Sequence, residues 1–462
     1  MRKSVDLLLV GGLIYNDGGL VQGSLGVADG KVAFISAQEW APPAERVIDV
    51  AGRIVLPGFI DSHVHFRDPG LVYKEDFLTG TQAAVAGGVT CVVDMPNNKP
   101  ALLTRERFRN KRDSVSTRAL VDFALYAGGT NYAEIPGMIE EGAIGVKIFM
   151  VADPKSGYPH DPELFTGDDG QLYDTMKLAH KLGVFTSVHP QNQQLFTHES
   201  RKCWAAGTTT PRDFLEAYFG ENFVGDYTAI TKLIEMSRAA SARTHILHVR
   251  TERSVRMIRQ AASEGVPVSI EVNPKYMLLG EEDMARLGPA STPYGLPLSE
   301  RSKLLRCVRD GLVDVLATDH APHTRAEVEP GWKDAWSIPF GNPQLDHFSS
   351  MLLTLVNQDV LTLSSLVETL SAGPARLLGL YPRKGTLRVG ADADLAIIDM
   401  NRQGTLTDEE CYTKVKWSPY SGKDYHGRVV MTIANGRVVM QDGAVLGEPG
   451  KGRFIRNQAE TH

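Results

Sequence analysis

The sequence predicts a (β/α)8 TIM-like barrel that carries a small β-sandwich domain built from both ends of the chain. Eight apolar, strand-like segments alternate with helical stretches between about residues 55 and 380, which is typical of a parallel sheet made of βα units. Both ends of the chain instead alternate short apolar runs with turn signals. The 462 residues are 42% hydrophobic and 23% charged, so a large core is available and disordered or fibrous classes are excluded.

Residues 6–48 form the first predicted element, an antiparallel sheet whose apolar runs are separated by turn signals such as NDGG at 16–19 and DG at 29–30. The C-terminal part has the same pattern, with strands expected at 393–399, 429–433 and 437–440. Neither end alone offers enough strands for an independent core. We therefore expect residues 1–54 and 381–462 to form one discontinuous β domain, and residues 55–380 to form the barrel.

We predict the eight barrel strands at residues 54–61, 90–95, 120–125, 146–149, 184–188, 245–249, 267–272 and 313–318. Helical stretches, for example 173–182 and 252–265, lie between them. A barrel of this kind has its active site at the carboxyl ends of its strands. Ionisable residues at those ends are therefore the candidates for the chemistry.

The first strand ends in DSHVH at 61–65. Because residues two apart in a strand point to the same side, both histidines of this motif can reach one metal ion. Strands four, five, six and eight also end in ionisable residues. A single such residue is more often structural, but six of them at the same end of five strands predict a metal site: His63, His65, Lys147, His189, His248 and Asp319.

Lys147 is the unusual member of this set, because an ammonium group of pKa about 10.4 cannot bind a cation. Carbamylation by carbon dioxide would give it one negative charge and two oxygens, which can bridge two divalent ions. Its apolar context, GVKIFM, argues against a surface lysine. The carbamate, Asp319 and a bridging hydroxide would leave two such ions with a modest positive charge to attract electrons from a substrate carbonyl.

With these residues the chain resembles the cyclic amidohydrolases, the group that contains dihydroorotases, allantoinases and hydantoinases (dihydropyrimidinases). The similar motifs are LPGFID at 56–61, HVHFRDPG at 63–70, GGVT at 87–90, MPN at 95–97, TDHAPH at 318–323 and KGTLRVGADADLAIID at 384–399. The resemblance implies that Lys147 bridges two divalent ions, with zinc as the expected metal. His63, His65 and Asp319 would complete the site of the more buried ion, and His189 and His248 the site of the other.

The resemblance implies hydrolysis of a ring C–N bond in a cyclic amide or ureide, with Asp319 accepting a proton and then delivering it to the leaving nitrogen. HFRDPG and TDHAPH are similar to dihydroorotases, in which residues matching Arg67, Asn97 and His323 grip the substrate carboxylate. KWSPYSG at 416–422 and the ending GKGRFI look more like allantoinases, and KIFM is closer to hydantoinases. Dihydroorotate and allantoin are thus the leading substrates, and neutral hydantoins or dihydropyrimidines the alternative.

Several segments depart from every subgroup, namely 189–192, 272–276 and 291–297. Near Lys275 the His or Gln that is often found in the family is missing, and Arg250 stands where Ser is usual. We expect Arg250, His160 and His198 to be ordinary solvated loop residues. Two alternatives stay open: a non-catalytic scaffold paralogue, which would lose metal ligands, and a mononuclear deaminase, which has no need of Lys147.

Charge and cysteine content bear on partners and location. The chain has 49 Lys and Arg and 55 Asp and Glu, which gives a net charge of −6, and it has no run of like charges. No nucleic-acid partner is therefore indicated. The four cysteines are about a hundred residues apart, which indicates reduced thiols in a cytoplasmic protein. No segment approaches the roughly 20 apolar residues of a membrane span. We expect a small-molecule substrate and a homo-oligomer, dimer or tetramer as the resemblance implies.

Overall fold

A computed structural model describes residues 4–16, 18–37, 42–152, 162–291 and 296–457. Its strands are β1 (Val5–Asn16), β2 (Gly19–Ala28), β3 (Lys31–Ser36), β4 (Ala44–Asp49), β5 (Ile54–Pro57), β6 (Phe59–Val64), β7 (Val89–Asp94), β8 (Asp122–Leu125), β9 (Ala127–Gly128), β10 (Gly145–Phe149), β11 (Phe185–His189), β12 (Thr244–Ile246), β13 (Val268–Val272), β14 (Val315–Leu316), β15 (Leu395–Thr405), β16 (Asp424–Ala434), β17 (Arg437–Gln441) and β18 (Ala444–Val445).

The α-helices are α1 (Phe77–Ala86), α2 (Arg105–Ser116), α3 (Ile135–Glu140), α4 (Asp169–Lys181), α5 (Gln193–Ala206), α6 (Pro211–Phe219), α7 (Val224–Ala240), α8 (Glu252–Ser263), α9 (Lys275–Leu278), α10 (Glu281–Leu287), α11 (Leu298–Arg309), α12 (Arg325–Val328), α13 (Phe348–Asn357), α14 (Leu363–Val367) and α15 (Gly373–Leu377). In the part of the chain that is described, none of the helices is both long enough and apolar enough to cross a bilayer.

The barrel has the predicted eight parallel strands, β6, β7, β8, β10, β11, β12, β13 and β14. A parallel bridge between Val64 and His320 joins the last strand to the first. Strands such as β10 are buried along their whole length, as expected where helices cover the outside of a parallel sheet. The predicted (β/α)8 barrel is therefore confirmed.

The two ends of the chain share one nine-stranded sheet in the order β18-β17-β16-β15-β5-β1-β2-β3, with β4 on β1. Side chains from both ends, among them Leu7, Leu25, Ile397 and Ile433, pack in one apolar cluster. This confirms the small β domain built from both termini. The expectation of a purely antiparallel N-terminal sheet is wrong for β4, which pairs with β1 in parallel.

The predicted first barrel strand, 54–61, is in fact two strands that belong to different domains. β5 pairs with β1 and β15 in the β domain, whereas β6 pairs with β7 in the barrel. The break falls at Gly58, where a Cβ atom would lie 2.4 Å from the Thr90 hydroxyl. The β domain thus continues to Pro57 instead of ending at residue 54, because one uninterrupted apolar run crosses the boundary.

A C-terminal segment returns to the amino end of the barrel and lies beside β8. Phe123 donates its N–H to the Arg453 carbonyl (2.9 Å), and Ile455 donates to the Phe123 carbonyl (2.7 Å). The Phe454 ring packs against Phe123, with ring centroids 5.5 Å apart. The β domain therefore contributes directly to the closure of the barrel.

Buried charges join the two domains next to this segment. Lys384 contacts Asp122 (2.7 Å) at the start of β8, and also Asp392 (3.2 Å) and Asp394 (2.5 Å) in the β domain. Arg453 contacts Asp122 (2.8 Å) and Asp392 (2.7 Å). The three carboxylates could by spacing hold a metal ion, but the Lys384 ammonium already lies among them, so we interpret this cluster as a structural ion network.

Lys384→Met is expected to lower the free energy of unfolding by about 3–5 kcal/mol, because it leaves buried carboxylates without their central cation. Lys31→Met provides a matched control, since Lys31 contacts the same Asp392 at 2.6 Å but its side chain is 43% exposed. That variant should lose no more than about 1 kcal/mol. Urea unfolding followed by circular dichroism measures both, and equal losses would contradict the buried-network interpretation.

Candidate metal centre and substrate pocket

A pocket opens at the carboxyl ends of the barrel strands. Six of its lining residues were predicted from the sequence: His63, His65, Arg67, Asn97, His189 and Asp319. Seven were not: Phe149, Val151, Tyr218, Lys275, Ala321, Phe340 and Gly341. Arg67, His248 and Asp319 have left-handed backbone conformations, with φ of 60°, 37° and 52°. Such conformations are costly for residues other than glycine and cluster at functional sites.

The first group of candidate ligands consists of His63, at the end of β6, His65 just beyond it, and Asp319 after β14. Donor atoms of the three lie within 4.8 Å of one another. Asp319 Oδ1 is 3.3 Å from His63 Nε2 and 3.1 Å from His65 Nε2. The Nδ1 atoms point away, toward Glu271 Oε1 (2.8 Å) and Asn97 Oδ1 (2.6 Å). Such outer contacts fix ring orientation in metal sites and leave the inner nitrogens available.

The second group consists of His189, the last residue of β11, and His248, two residues beyond β12. Their facing nitrogens, His189 Nδ1 and His248 Nε2, are 2.9 Å apart. His189 Nε2 contacts the Tyr218 hydroxyl at 2.8 Å. The His248 ring lies 6.0 Å from that of His63, so the two groups are neighbours.

Lys147 lies on β10 and is 1% exposed. Its Nζ has no hydrogen-bond partner among the described residues and lies 4.6 Å from the centre of the Phe149 ring. Burial lowers its pKa to about 7, against the opposing effects of Glu271 and Asp319. A buried polar atom without a partner costs free energy, and with a pKa of about 7 about half of this amine is uncharged at neutral pH. Both properties fit a lysine that carries a carbamate.

The protonation states suit cation binding. Burial lowers the pKa of His65 to about 3, although Asp319 opposes this, and burial likewise holds the pKa of His248 well below its ordinary value. Burial acts to raise the pKa of Asp319, but Lys275 and His63 hold it well below its usual range. Neutral imidazoles and an ionised carboxylate are the forms that bind metal ions.

Two pocket residues with direct contacts to this centre have no motif in the sequence. Lys275, the first residue of α9, donates from its buried Nζ to Asp319 Oδ2 at 3.0 Å. Tyr218 comes from α6, which begins after Thr210 with a capping box to Asp213 and a proline at its first position. Lys275 lies three residues beyond β13, so its strand-end position was a usable signal, whereas Tyr218 is on a helix and gave none.

Arg67 and Asn97 lie on the pocket wall, but His323 is completely buried and lies behind Arg67. Arg67 Nη2 is 3.0 Å from His323 Nε2. His323 Nδ1 faces Lys74 Nζ (3.0 Å) and its Nε2 faces the Phe340 carbonyl (3.0 Å). Among the described residues that line the pocket, His323 is therefore not included. Its contact with Arg67 suits a side chain that holds the Arg67 guanidinium in place.

Asp68 and Glu75 are acidic neighbours of Arg67 in the sequence, and pairing with either would make Arg67 a loop-stabilising residue. The structure has other partners for both acids: Asp68 Oδ2 contacts Arg118 at 2.9 Å, and Glu75 accepts hydrogen bonds from Thr413 and from the Lys414 backbone. Arg67 is thus not engaged by either carboxylate.

The expectation that Arg250 is a solvated loop residue is wrong. Its guanidinium is buried, pairs with Asp226 at 2.5 Å and lies over the rings of Tyr218 (5.1 Å) and Tyr276 (5.6 Å). Its Nη2 is 3.5 Å from His248 Nδ1. Asp226 and two tyrosine rings therefore hold the Arg250 guanidinium next to His248. His198 is exposed, as expected, whereas His160 and most of the atypical segment 291–297 lie outside the described residues.

The chain is similar to several known proteins. A family model described as "Amidohydrolase family" matches residues 54–439. The solved structure of L-hydantoinase (dihydropyrimidinase) from Arthrobacter aurescens superposes with a TM-score of 0.93 and 33% identity, covering 98% of this chain and 100% of that one. An allantoinase of Rubrobacter xylanophilus is 35% identical over 472 residues, 99% of each chain. A dihydroorotase of Methanosphaera stadtmanae is 31% identical over 401 residues, 87% of this chain and 89% of that protein.

Proposed function

The chain belongs to the amidohydrolase family and is a hydrolase of cyclic amides, and we propose that it opens its substrate ring at a binuclear metal centre that contains a carbamylated lysine. The observation that carries this proposal is Lys147: a fully buried amine of lowered pKa, without a described hydrogen-bond partner, that interacts electrostatically with Asp319 and His248. A scaffold protein has no need of this arrangement, and a mononuclear deaminase has no need of the lysine.

Carbamylation requires the free amine, which attacks carbon dioxide through its nitrogen and releases one proton. A pKa of about 7 makes that amine available at neutral pH, where an ordinary lysine would be almost entirely protonated. Lys147, His63, His65 and Asp319 would hold one divalent ion, and Lys147, His189 and His248 the other, with zinc as the proposed metal. When bound, the ions would lower the pKa of a shared water toward about 7 and polarise the ring carbonyl.

Asp319 is the proposed proton carrier. It accepts a proton from the attacking water and delivers it to the ring nitrogen when the C–N bond breaks, so it acts first as base and then as acid. Its Oδ1 faces His63 and His65, which leaves Oδ2 for this transfer. Lys275 contacts Oδ2 at 3.0 Å and would hold the carboxylate in one orientation between proton transfers.

The direct test is elemental analysis of purified protein combined with a panel of cyclic amides assayed after metal reconstitution. Close to two divalent ions per chain and ring opening of at least one acidic or neutral member of the panel support the proposal. A single ion per chain with full activity would contradict the binuclear centre. Free thiols at all four cysteines fit the proposed cytoplasmic location, and the family resemblance makes a dimer or tetramer part of the proposal.

We propose that the preferred ring carries an acidic group, as dihydroorotate does. Arg67 lies on the pocket wall free of the two nearby carboxylates, whereas Lys275 on the same wall is paired with Asp319. Asn97 adds an amide whose oxygen is already held by His65, leaving its NH2 group for an anion. The similarity to L-hydantoinase favours neutral rings as the second candidate.

Arg67→Met is expected to lower kcat/KM for dihydroorotate by about 10- to 100-fold while changing kcat/KM for a neutral hydantoin or dihydrouracil only slightly. The reason is that a hydrogen bond to a charged group contributes roughly 1.5–3 kcal/mol. Steady-state kinetics on both substrate types measures the difference. Arg118→Met, which changes a nearby arginine outside the pocket wall, is the matched control. Equal losses on acidic and neutral rings would move the preference to allantoin or a neutral hydantoin.

A further inference from the structure

A carboxylate lies in the interior of the barrel, directly beneath the proposed metal centre. Glu271, on β13, is completely buried. Its Oε1 is 2.8 Å from His63 Nδ1 and also accepts the backbone N–H of His248 at 3.3 Å. Its Oε2 faces His245 Nε2 at 3.5 Å, and His245 Nδ1 in turn contacts the Ser269 hydroxyl at 2.8 Å.

This polar column departs from the ordinary interior of such a barrel, which is filled by layers of branched apolar side chains. Burying a carboxylate is unfavourable unless it is paired. Among the described residues, the only ion-pair contacts of Glu271 are with His63 and His245. The acid is thus placed against a candidate metal ligand and has no arginine or lysine contact that would explain it as a simple structural ion pair.

The inner histidines have outer partners of different chemistry. His63 has a carboxylate, His65 has the Asn97 amide oxygen and His189 has the Tyr218 hydroxyl. A carboxylate that accepts the Nδ1–H keeps the proton on that nitrogen, directs Nε2 toward the ion and increases the basicity of the ring more than a neutral acceptor does. His63 should therefore be the strongest imidazole ligand of the set.

We propose that Glu271 is a positioning residue of the metal centre, which orients His63 and increases the affinity for the ion that His63, His65 and Asp319 share. His245, whose ring is held by the Ser269 hydroxyl, faces the carboxylate from the opposite side. The inference rests on the proposed binuclear centre. It adds that the two sites differ in metal affinity, with the ion at His63 bound more tightly than the ion at His189 and His248.

Zinc affinities measured by competition with a chromogenic chelator test this inference in the full-length protein. Wild type should bind two ions in two steps of unequal affinity. Glu271→Gln retains an oxygen for the His63 and His248 contacts but loses the charge, and we expect it to weaken the tighter step about 10-fold. Glu271→Met loses the acceptor as well, and the same step should weaken about 100-fold. In the cobalt-substituted protein, the visible absorption of the tighter ion should change in both variants.

Lys384→Met is the control. It removes a buried charge beside Asp122, at the start of β8, and should reduce stability without changing either zinc affinity. If wild type binds two ions and Glu271→Gln and Glu271→Met both bind them with wild-type affinities, the inference about Glu271 is overturned and the binuclear proposal stands. If wild type binds no zinc, both are overturned. Glu271→Gln has nearly the same volume as the wild-type residue, so it keeps the test valid if Glu271→Met does not fold.

Discussion

Lys147→Ala should reduce the bound metal from two ions per chain to one or none and lower kcat by about 10³-fold. The substitution removes the side chain that we propose to bridge the two metal ions. Stabilisation of developing charge by a metal ion contributes several kcal/mol, and each 1.4 kcal/mol equals a factor of about ten in rate. Elemental analysis and steady-state kinetics on the best substrate measure the two effects.

Bicarbonate provides the control for the chemical origin of this loss. Metal-free wild type reconstituted in bicarbonate should recover more activity than wild type reconstituted without it, because the carbamate has to form before both ions are held. Lys147→Ala should show no such dependence. Unchanged metal content and activity in the alanine variant would contradict the bridging role of Lys147.

Asp319→Asn should lower kcat by about 10²- to 10⁴-fold, the usual contribution of general acid–base catalysis, while at least one metal ion stays bound. An amide oxygen can still bind a cation weakly and can still accept the hydrogen bond from Lys275, but it cannot take up a proton. Circular dichroism and metal analysis verify the fold and the metal content. If the variant kept more than a third of the wild-type kcat, another group would have to move the proton.

The strand ends could be predicted from sequence because they depend on local rules. A period of two places His63 and His65 on the same side of the chain where β6 ends, and the common direction of parallel strands brings Lys147, His189 and Asp319 to the same end of the barrel. These rules do not require knowledge of which side chains touch. The residues at the strand ends could therefore be named from the sequence alone.

Contacts between distant elements could not be predicted in this way. Tyr218 reaches the site from α6, and Glu271 points into the barrel from a strand whose only motif-like feature is its apolar character. The burial of Arg250 could not be predicted because this loop residue pairs with Asp226, which lies on α7, 24 residues earlier in the chain. The division of the first strand at Gly58 was missed for a related reason, since a continuous apolar run has no periodic signal that marks where it changes sheets.

The C-terminal segment beside β8 has a consequence for biogenesis. Arg453, which contacts Asp122, is synthesised 331 residues after it, so the third barrel strand emerges from the ribosome long before the neighbour that completes its hydrogen bonds. Until then the N–H of Phe123 and the carboxylate of Asp122 lack that partner. The barrel cannot reach its final form domain by domain during translation. Its folding must finish after the β domain has been synthesised, which makes the nascent chain a candidate for chaperone protection.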